Sequence, residues 1–247
     1  MMKQSLFTVN DNRAIAQDIY KMTLSGDTSA ITRPGQFVNI QIDGFYLRRP
    51  ISVCDRTEGE LTLIYKVVGK GTEVMAQMKK GTTLDILTGL GNGYDVTKSG
   101  DRPLLIGGGV GVPPLYLLAK ELTAMGKQVT AVLGFRSEKD VFLKDELEAL
   151  GVRVFITTED GSMGTKGFVT DAFTEVGDYT YTYLCGPEPM LRAVYRASVT
   201  SGQYSFEERM GCGFGACMGC SCKTIYGNKR ICKDGPVLEK EEILGWK

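Results

Sequence analysis

The chain has 247 residues, 43% hydrophobic and 23% charged, which suits a soluble globular protein with two modest domains and an appendage. Lys and Arg number 29 and so do Asp and Glu, so no basic field exists to neutralise phosphates along a duplex, and nucleic-acid binding is excluded. No histidine occurs, which excludes Ser-His-Asp chemistry, His-ligated zinc, Rieske-type ligation and a His general base. Catalysis then falls to cofactors, and no catalytic side chain is expected.

The segment Met1 to Thr8 lacks the apolar run of a signal peptide, and no stretch reaches the roughly 18 apolar residues of a membrane span. A cytoplasmic protein with no membrane partner is expected. Residues 1–97 read as β-rich. Phe37 to Ile42 and Leu61 to Val67 alternate with period two, broken by turn signals at Arg33-Pro34-Gly35, Asp43-Gly44 and Glu58-Gly59-Glu60. Such short strands predict a small antiparallel β-barrel, with one helix over Thr72 to Lys79. Within it, Leu47-Arg48-Arg49-Pro50-Ile51-Ser52 puts two cations and a hydroxyl on a strand, and Gly69-Lys70-Gly71-Thr72 opens the helix. A basic strand facing a glycine-rich helix start makes an anion pocket.

The pattern changes at Ser99 to Pro103. Strands at Leu104–Ile106, Gln128–Phe135, Val152–Thr157 and Tyr181–Cys185 alternate with helices at Leu115–Met125, Asp140–Leu150 and Glu188–Ala197. This predicts a parallel, doubly wound, Rossmann-like α/β domain over 98–200. Its first βα turn is Gly107-Gly108-Gly109-Val110-Gly111-Val112-Pro113-Pro114. Gly109 and Gly111 allow a pyrophosphate to approach the backbone, and Pro114 is tolerated in a first helical turn. Cys185-Gly186-Pro187 ends a later strand at the edge where ligands of such folds bind, although a small buried residue is the commoner role for Cys185. Arg136 and Ser137 follow the strand that ends near an adenosine ribose, where a cation can favour a 2′-phosphate, although a solvated loop arginine is the commoner role.

Five of the seven cysteines lie between 212 and 232, a density that points to a metal or cluster site rather than a disulfide scaffold. Cys212, Cys217 and Cys220 stand in C-x4-C-x2-C spacing, with Cys222 and Cys232 beyond. This is the plant-ferredoxin spacing for a [2Fe–2S] cluster. Gly211, Gly213, Gly215 and Gly219 permit the tight wrap and the N–H bonds to sulfur that such a loop requires. Four-cysteine zinc is the competing occupant, and it ordinarily uses paired C-x2-4-C knuckles. Spacing alone leaves Cys222 and Cys232 in competition for the fourth place. Residues 201–247 are expected to form a small third domain.

Taken in order, Arg49-Pro50-Ile51-Ser52, Gly71-Thr72, Gly107 to Pro114, Cys185-Gly186-Pro187 and the cysteine tail resemble the ferredoxin–NADP reductase superfamily. More narrowly, Glu208 to Cys217 and Cys232-Lys233-Asp234-Gly235-Pro236-Val237 resemble the electron-transfer subunits of B-type dihydroorotate dehydrogenases. The resemblance implies FAD in the barrel, NAD in the α/β domain and a [2Fe–2S] cluster in the tail. It assigns Arg49, Pro50, Ile51, Ser52, Ile64, Tyr65, Lys66, Gly71 and Thr72 to FAD, and it favours Cys232 as the fourth ligand. Where the superfamily often carries an aromatic beside the flavin, this chain has Ile51, which makes Tyr65 the candidate for stacking. The resemblance also implies an FMN-containing catalytic partner that oxidises dihydroorotate, in a heterotetramer serving pyrimidine biosynthesis. Two rivals stand beside it: a diaphorase-type FAD/[2Fe–2S] subunit of a bifurcating transhydrogenase, sulfide dehydrogenase or hydrogenase, and a non-enzymatic zinc module. Trp246, the only tryptophan, has two candidate roles, partner contact and capping of the tail.

Overall fold

The computed structural model describes residues 2–246. The first half of the chain contributes β1 (Lys3–Ala16), β2 (Ile19–Ser25), β3 (Phe37–Ile40), β4 (Arg49–Thr57), β5 (Glu60–Lys66), helix α1 (Lys70–Gln77) and β6 (Thr83–Leu90). The six strands close into an antiparallel barrel in the order β1-β2-β5-β4-β3-β6. Period-two alternation explains the closure. Leu61, Leu63 and Tyr65 of β5 point inward with Phe7, Val9, Met22 and Leu24, whereas Ile64 points out and packs with the second domain. Each such aliphatic side chain contributes about 2 kcal/mol through burial.

The second half contributes β7 (Pro103–Gly108), α2 (Pro113–Ala124), β8 (Thr130–Phe135), α3 (Lys144–Ala149), β9 (Arg153–Thr158), β10 (Thr165–Lys166), α4 (Phe173–Val176), β11 (Tyr181–Cys185), α5 (Glu188–Ala197), β12 (Gly202–Ser205), β13 (Ser221–Thr224), β14 (Gly227–Arg230) and β15 (Val237–Glu239). A seven-stranded sheet runs β10-β9-β8-β7-β11-β12-β15, parallel except for β15. Helices cover both faces, as a doubly wound sheet requires. Leu115, Leu118 and Leu122 of α2 pack with Leu105, Leu133 and Tyr183; Leu191 and Val194 of α5 pack with Leu104, Ile106 and Leu184.

One expectation is corrected here. The helix expected from Asp140 starts only at Lys144, because Leu143 adopts a left-handed φ of 63°; Asp140 instead closes a single 3-10 turn at Glu138–Asp140. β12 and β15 flank the cysteine segment and join the main sheet, with Tyr204 and Leu238 in its core, so the C-terminal unit is tied to the α/β domain through that sheet. The barrel and the sheet are joined at Tyr94, fully buried, whose hydroxyl donates to the Leu184 carbonyl at 2.8 Å. Gly35, at φ 81°, has no room for a Cβ, which would lie 2.6 Å from the Tyr94 ring.

Candidate cofactor sites

The register of the barrel opens a groove at one end. β4 and β5 pair from Val53–Thr57 to Glu60–Leu63, with a bulge between Val53 and Asp55. Beyond it the two strands part: Arg49–Ser52 pair only with β3, and Ile64–Lys66 only with β2. The residues assigned to FAD therefore line the two sides of one split in the sheet. The Arg pair divides at the start of β4. Arg48 turns to an ion pair with Asp85 at 2.9 Å and to the Asn39 carbonyl at 3.3 Å, a structural role. Arg49 turns to the start of α1, where a Cβ on Gly71 would lie only 2.1 Å from its Nε. A guanidinium over a helix N-terminus, with glycine beneath it, is a cradle for a pyrophosphate. Thr72 holds that turn, its hydroxyl accepting from Val68 N at 2.9 Å and from Gly69 N at 3.2 Å.

Tyr65 does not supply the expected stacking surface. Its ring lies in the barrel core against Tyr20, 5.9 Å between centroids, and its hydroxyl donates to Asn12 at 3.0 Å. Only its backbone borders the groove. Nearer the groove floor, Asn39 of β3 lies opposite Pro50 and keeps a buried Oδ1 with no hydrogen-bond partner. A buried orphan acceptor is a place where a ligand donor or water completes the structure.

A cavity of about 660 Å3 lies between the barrel and the carboxyl ends of the parallel strands. Its barrel wall is Gln17, Ile19 and Lys66, and its floor is the glycine loop Gly108 to Gly111. Gly111 is required for closeness, since a Cβ there would lie 2.2 Å from the Cys185 carbonyl oxygen. Gly109 and Gly186 line the cavity; Pro114 lies buried in the first turn of α2, and the Cys185 side chain is buried beneath the floor. Burial pushes the Cys185 thiol up to about 12, so it is a small packed residue rather than a nucleophile. Thr157 lines the wall with a buried Oγ1 that has no partner, a second unfilled polar position. Glu207 stands at the mouth. Sequence reading missed Thr157, Glu207 and Asn39, because a lone Thr, Glu or Asn outside a motif carries no signal.

The cysteine loop sits against the barrel. Asn39 Nδ2 donates to the Cys212 carbonyl at 3.3 Å. Gly213 and Gly215 take φ values of 78° and 92°. Arg230 donates to the Gly215 carbonyl at 3.0 Å and pairs with Asp234, whose carboxyl it holds low. Ala216 N donates to Cys212 Sγ at 3.2 Å, and Cys232 N to Cys220 Sγ at 3.4 Å. Burial alone would push the Cys212 thiol up, but N–H donors of Cys217, Phe214 and Ala216 bring it down to about 6. Burial, a hydrogen bond with Cys220, and the charges of Cys220 and Cys212 push Cys232 up to about 12. Thiols that oppose one another as thiolates, with backbone N–H groups aimed at sulfur, are the donor chemistry that iron neutralises. Cys222 has other surroundings: Glu208, Glu242 and Lys229. Among the described residues, no three His, Cys, Asp or Glu side chains close on a single ion. What the segment offers is Cys212, Cys217 and Cys220 on a glycine-bearing turn, with Cys232, beyond β14, bonded through its N–H to Cys220 Sγ. Trp246 caps the tail, buried against Phe206 at 5.3 Å and Tyr195 at 5.9 Å.

Residues 207–244 match the model of the iron–sulfur cluster binding domain of dihydroorotate dehydrogenase B, and residues 105–196 that of the oxidoreductase NAD-binding domain. The chain is 46% identical over 256 residues to the dihydroorotate dehydrogenase B (NAD(+)) electron transfer subunit of Bacillus pumilus, covering 98% of each. It is also 46% identical over 258 residues to that of Fusobacterium nucleatum, covering 98% of this chain and 99% of the other. Among solved structures, it is similar to a chain of the NADH-dependent reduced ferredoxin–NADP oxidoreductase. The TM-score is 0.87 with 31% identity, over 97% of this chain and 90% of that one. The cytochrome P450 reductase of Amycolatopsis shares the fold, with a TM-score of 0.70 at 24% identity, over 79% of this chain and 65% of that one.

Proposed function

The chain belongs to the family of dihydroorotate dehydrogenase B electron-transfer subunits, and from that premise we propose that it carries electrons from the FMN of a catalytic partner subunit to NAD+ in pyrimidine biosynthesis. Dihydroorotate oxidation belongs to the partner, and the assembly is a cytoplasmic heterotetramer with two copies of each subunit. No helix of the described residues is long and apolar enough to cross a membrane. When bound, FAD exchanges single electrons with an iron–sulfur cluster and a hydride with NAD, which no side chain of this protein does.

The chain's own residues bind and orient. Arg49 and the first turn of α1 hold the FAD pyrophosphate over Gly71. The split between β4 and β5 takes the ring system, edged by Ile51, Ser52 and the backbone of Ile64 to Lys66. Gly109 and Gly111, at the N-terminal end of α2, receive the pyrophosphate of NAD, with Gly186 across the floor. Cys212, Cys217, Cys220 and Cys232 hold the cluster, and the N–H groups of Ala216, Cys217 and Cys232 bond its sulfur ligands.

The observation that carries this reading is the shared wall. Lys66 edges both the flavin groove and the nucleotide cavity, while Asn39, opposite Pro50 on the floor of the groove, holds the cysteine loop. A flavin in that groove would border both the nucleotide cavity and the cysteine loop. The likeness to the reduced ferredoxin–NADP oxidoreductase favours a second reading, a bifurcating diaphorase subunit, but at 31% identity against 46% for the dihydroorotate dehydrogenase relatives. Anaerobic co-purification tests the proposal. The expected result is a complex with flavin and iron–sulfur absorption that reduces NAD+ on addition of dihydroorotate. A colourless chain with stoichiometric zinc refutes it, and a ferredoxin-linked partner selects the second reading.

A further inference from the structure

We propose that Asp140 sets the preference for NAD over NADP, by occupying Arg136 and by placing a carboxylate where a 2′-phosphate would lie. The inference rests on reading the large cavity as a dinucleotide site. Arg136 and Ser137 directly follow β8, the strand whose end faces the adenosine ribose in such folds, and a cation there by itself would favour a 2′-phosphate.

In the structure that cation is already engaged. The chain turns back at Glu138–Asp140, so the Asp140 carboxylate reaches both residues. One oxygen lies 3.4 Å from Arg136 Nη2, and the other accepts from Ser137 Oγ at 3.2 Å. The backbone fixes the carboxylate, because Asp140 N donates to the Ser137 carbonyl at 3.0 Å. Asp140 is 16% exposed in its side chain and Arg136 is 63% exposed, so the anion is the anchored partner and the guanidinium the movable one. An ion pair this exposed adds little to stability, which leaves the fold indifferent to it and the pocket charge dependent on it.

Glu159, just past the end of the adjacent β9, adds a second carboxylate to the same wall. Lys66, the other cation lining the cavity, stands on the barrel wall. The ribose end therefore presents one cation against two anions. A ribose 2′-hydroxyl meets acceptors to which it can donate. A 2′-phosphate dianion must displace Asp140 from Arg136 and then sit beside two like charges, an arrangement that discriminates by repulsion as well as by attraction.

The test is calorimetric titration of the cofactor-loaded chain with 5′-AMP and 2′,5′-ADP, which differ only in the 2′-phosphate. The native chain should bind 2′,5′-ADP at least tenfold more weakly than 5′-AMP. Asp140→Asn should shift that ratio at least tenfold toward 2′,5′-ADP. Asp140→Ser should do the same and serves if the first variant is unstable. Adding Arg136→Gln to either should shrink the shift to the part that comes from relieved repulsion. A ratio unchanged in both single variants, or a shift undiminished by loss of Arg136, overturns the inference alone. A native chain that binds neither nucleotide overturns the dinucleotide reading and this inference with it.

Discussion

Replacing Gly71 with Ala separates flavin binding from folding. The new methyl would lie 2.1 Å from Arg49 Nε and 2.7 Å from its Cζ, so the guanidinium must swing off the start of α1. Folding should not suffer, since the atom that moves is the end of a flexible side chain. Ala is also favoured over Gly in a helix by up to about 1 kcal/mol. What disappears is a charge-assisted contact to phosphate worth about 2 kcal/mol, or roughly 30-fold in affinity. Titration of the FAD-depleted chain with FAD, followed by flavin fluorescence, should show that loss, while the melting temperature of the depleted chain holds or rises. An unchanged Kd, or an affinity that falls in step with stability, would refute the placement of Arg49 over the helix start.

Cys232→Ser should prevent assembly of the cluster, whereas Cys222→Ser should leave its visible absorption intact; the opposite pattern would exchange their roles. Gly111→Ala should destabilise the chain by about 3 kcal/mol in urea unfolding, because the methyl meets the Cys185 backbone at 2.2 Å, which cannot rotate away. Burial pushes the Asp85 carboxyl up, but Arg48 and Gln4 hold it below its ordinary value. Its contribution is therefore complete above the unfolded carboxylate pKa and lost as pH falls through the lower folded value. The side chain is 32% exposed, so Asp85→Asn should cost under about 1 kcal/mol at pH 7 and flatten the acid limb of stability below about pH 4. An unaltered pH profile would remove Arg48 from its structural role.

Local chemistry with a fixed spacing was readable before any coordinates. The glycine run at 107–111 falls where β7 gives way to α2, and the Tyr181–Cys185 and Glu188–Ala197 elements appear where the sequence predicts them. Long-range choices were not. Nothing in Arg48-Arg49 says which guanidinium meets Asp85 and which meets α1, since that depends on the face β4 presents in the closed barrel. Tyr65 reads equally well as a stacking ring or a core ring, and only barrel closure places it inside. β12 and β15 are four and three residues long, too short to announce themselves, and they form by adding to an existing sheet edge. The β1–β2 hairpin escaped notice because Asn10, Asp11, Asn12 and Arg13 interrupt its alternation, with a bulge between Val9 and Asp11.

That the tail is sewn into the sheet bears on how electrons can pass. An independent cluster domain on a linker would sample many distances from the flavin. Here Asn92 grips Val237 from both sides, accepting from its N–H at 3.1 Å and donating to its carbonyl at 2.7 Å. Cys220, Ile231 and Cys232 share a core with Phe37, Leu87 and Leu90 of the barrel. Cys220 and Cys232 are therefore buried against β3 and β6, while Cys217 is exposed, with Phe214 and Met218 exposed beside it. One side of the loop is set rigidly toward the flavin groove and the other is open to a partner. A relay between two proteins needs that asymmetry: a fixed distance inward, where the chain controls the geometry, and an accessible face outward, where docking completes it.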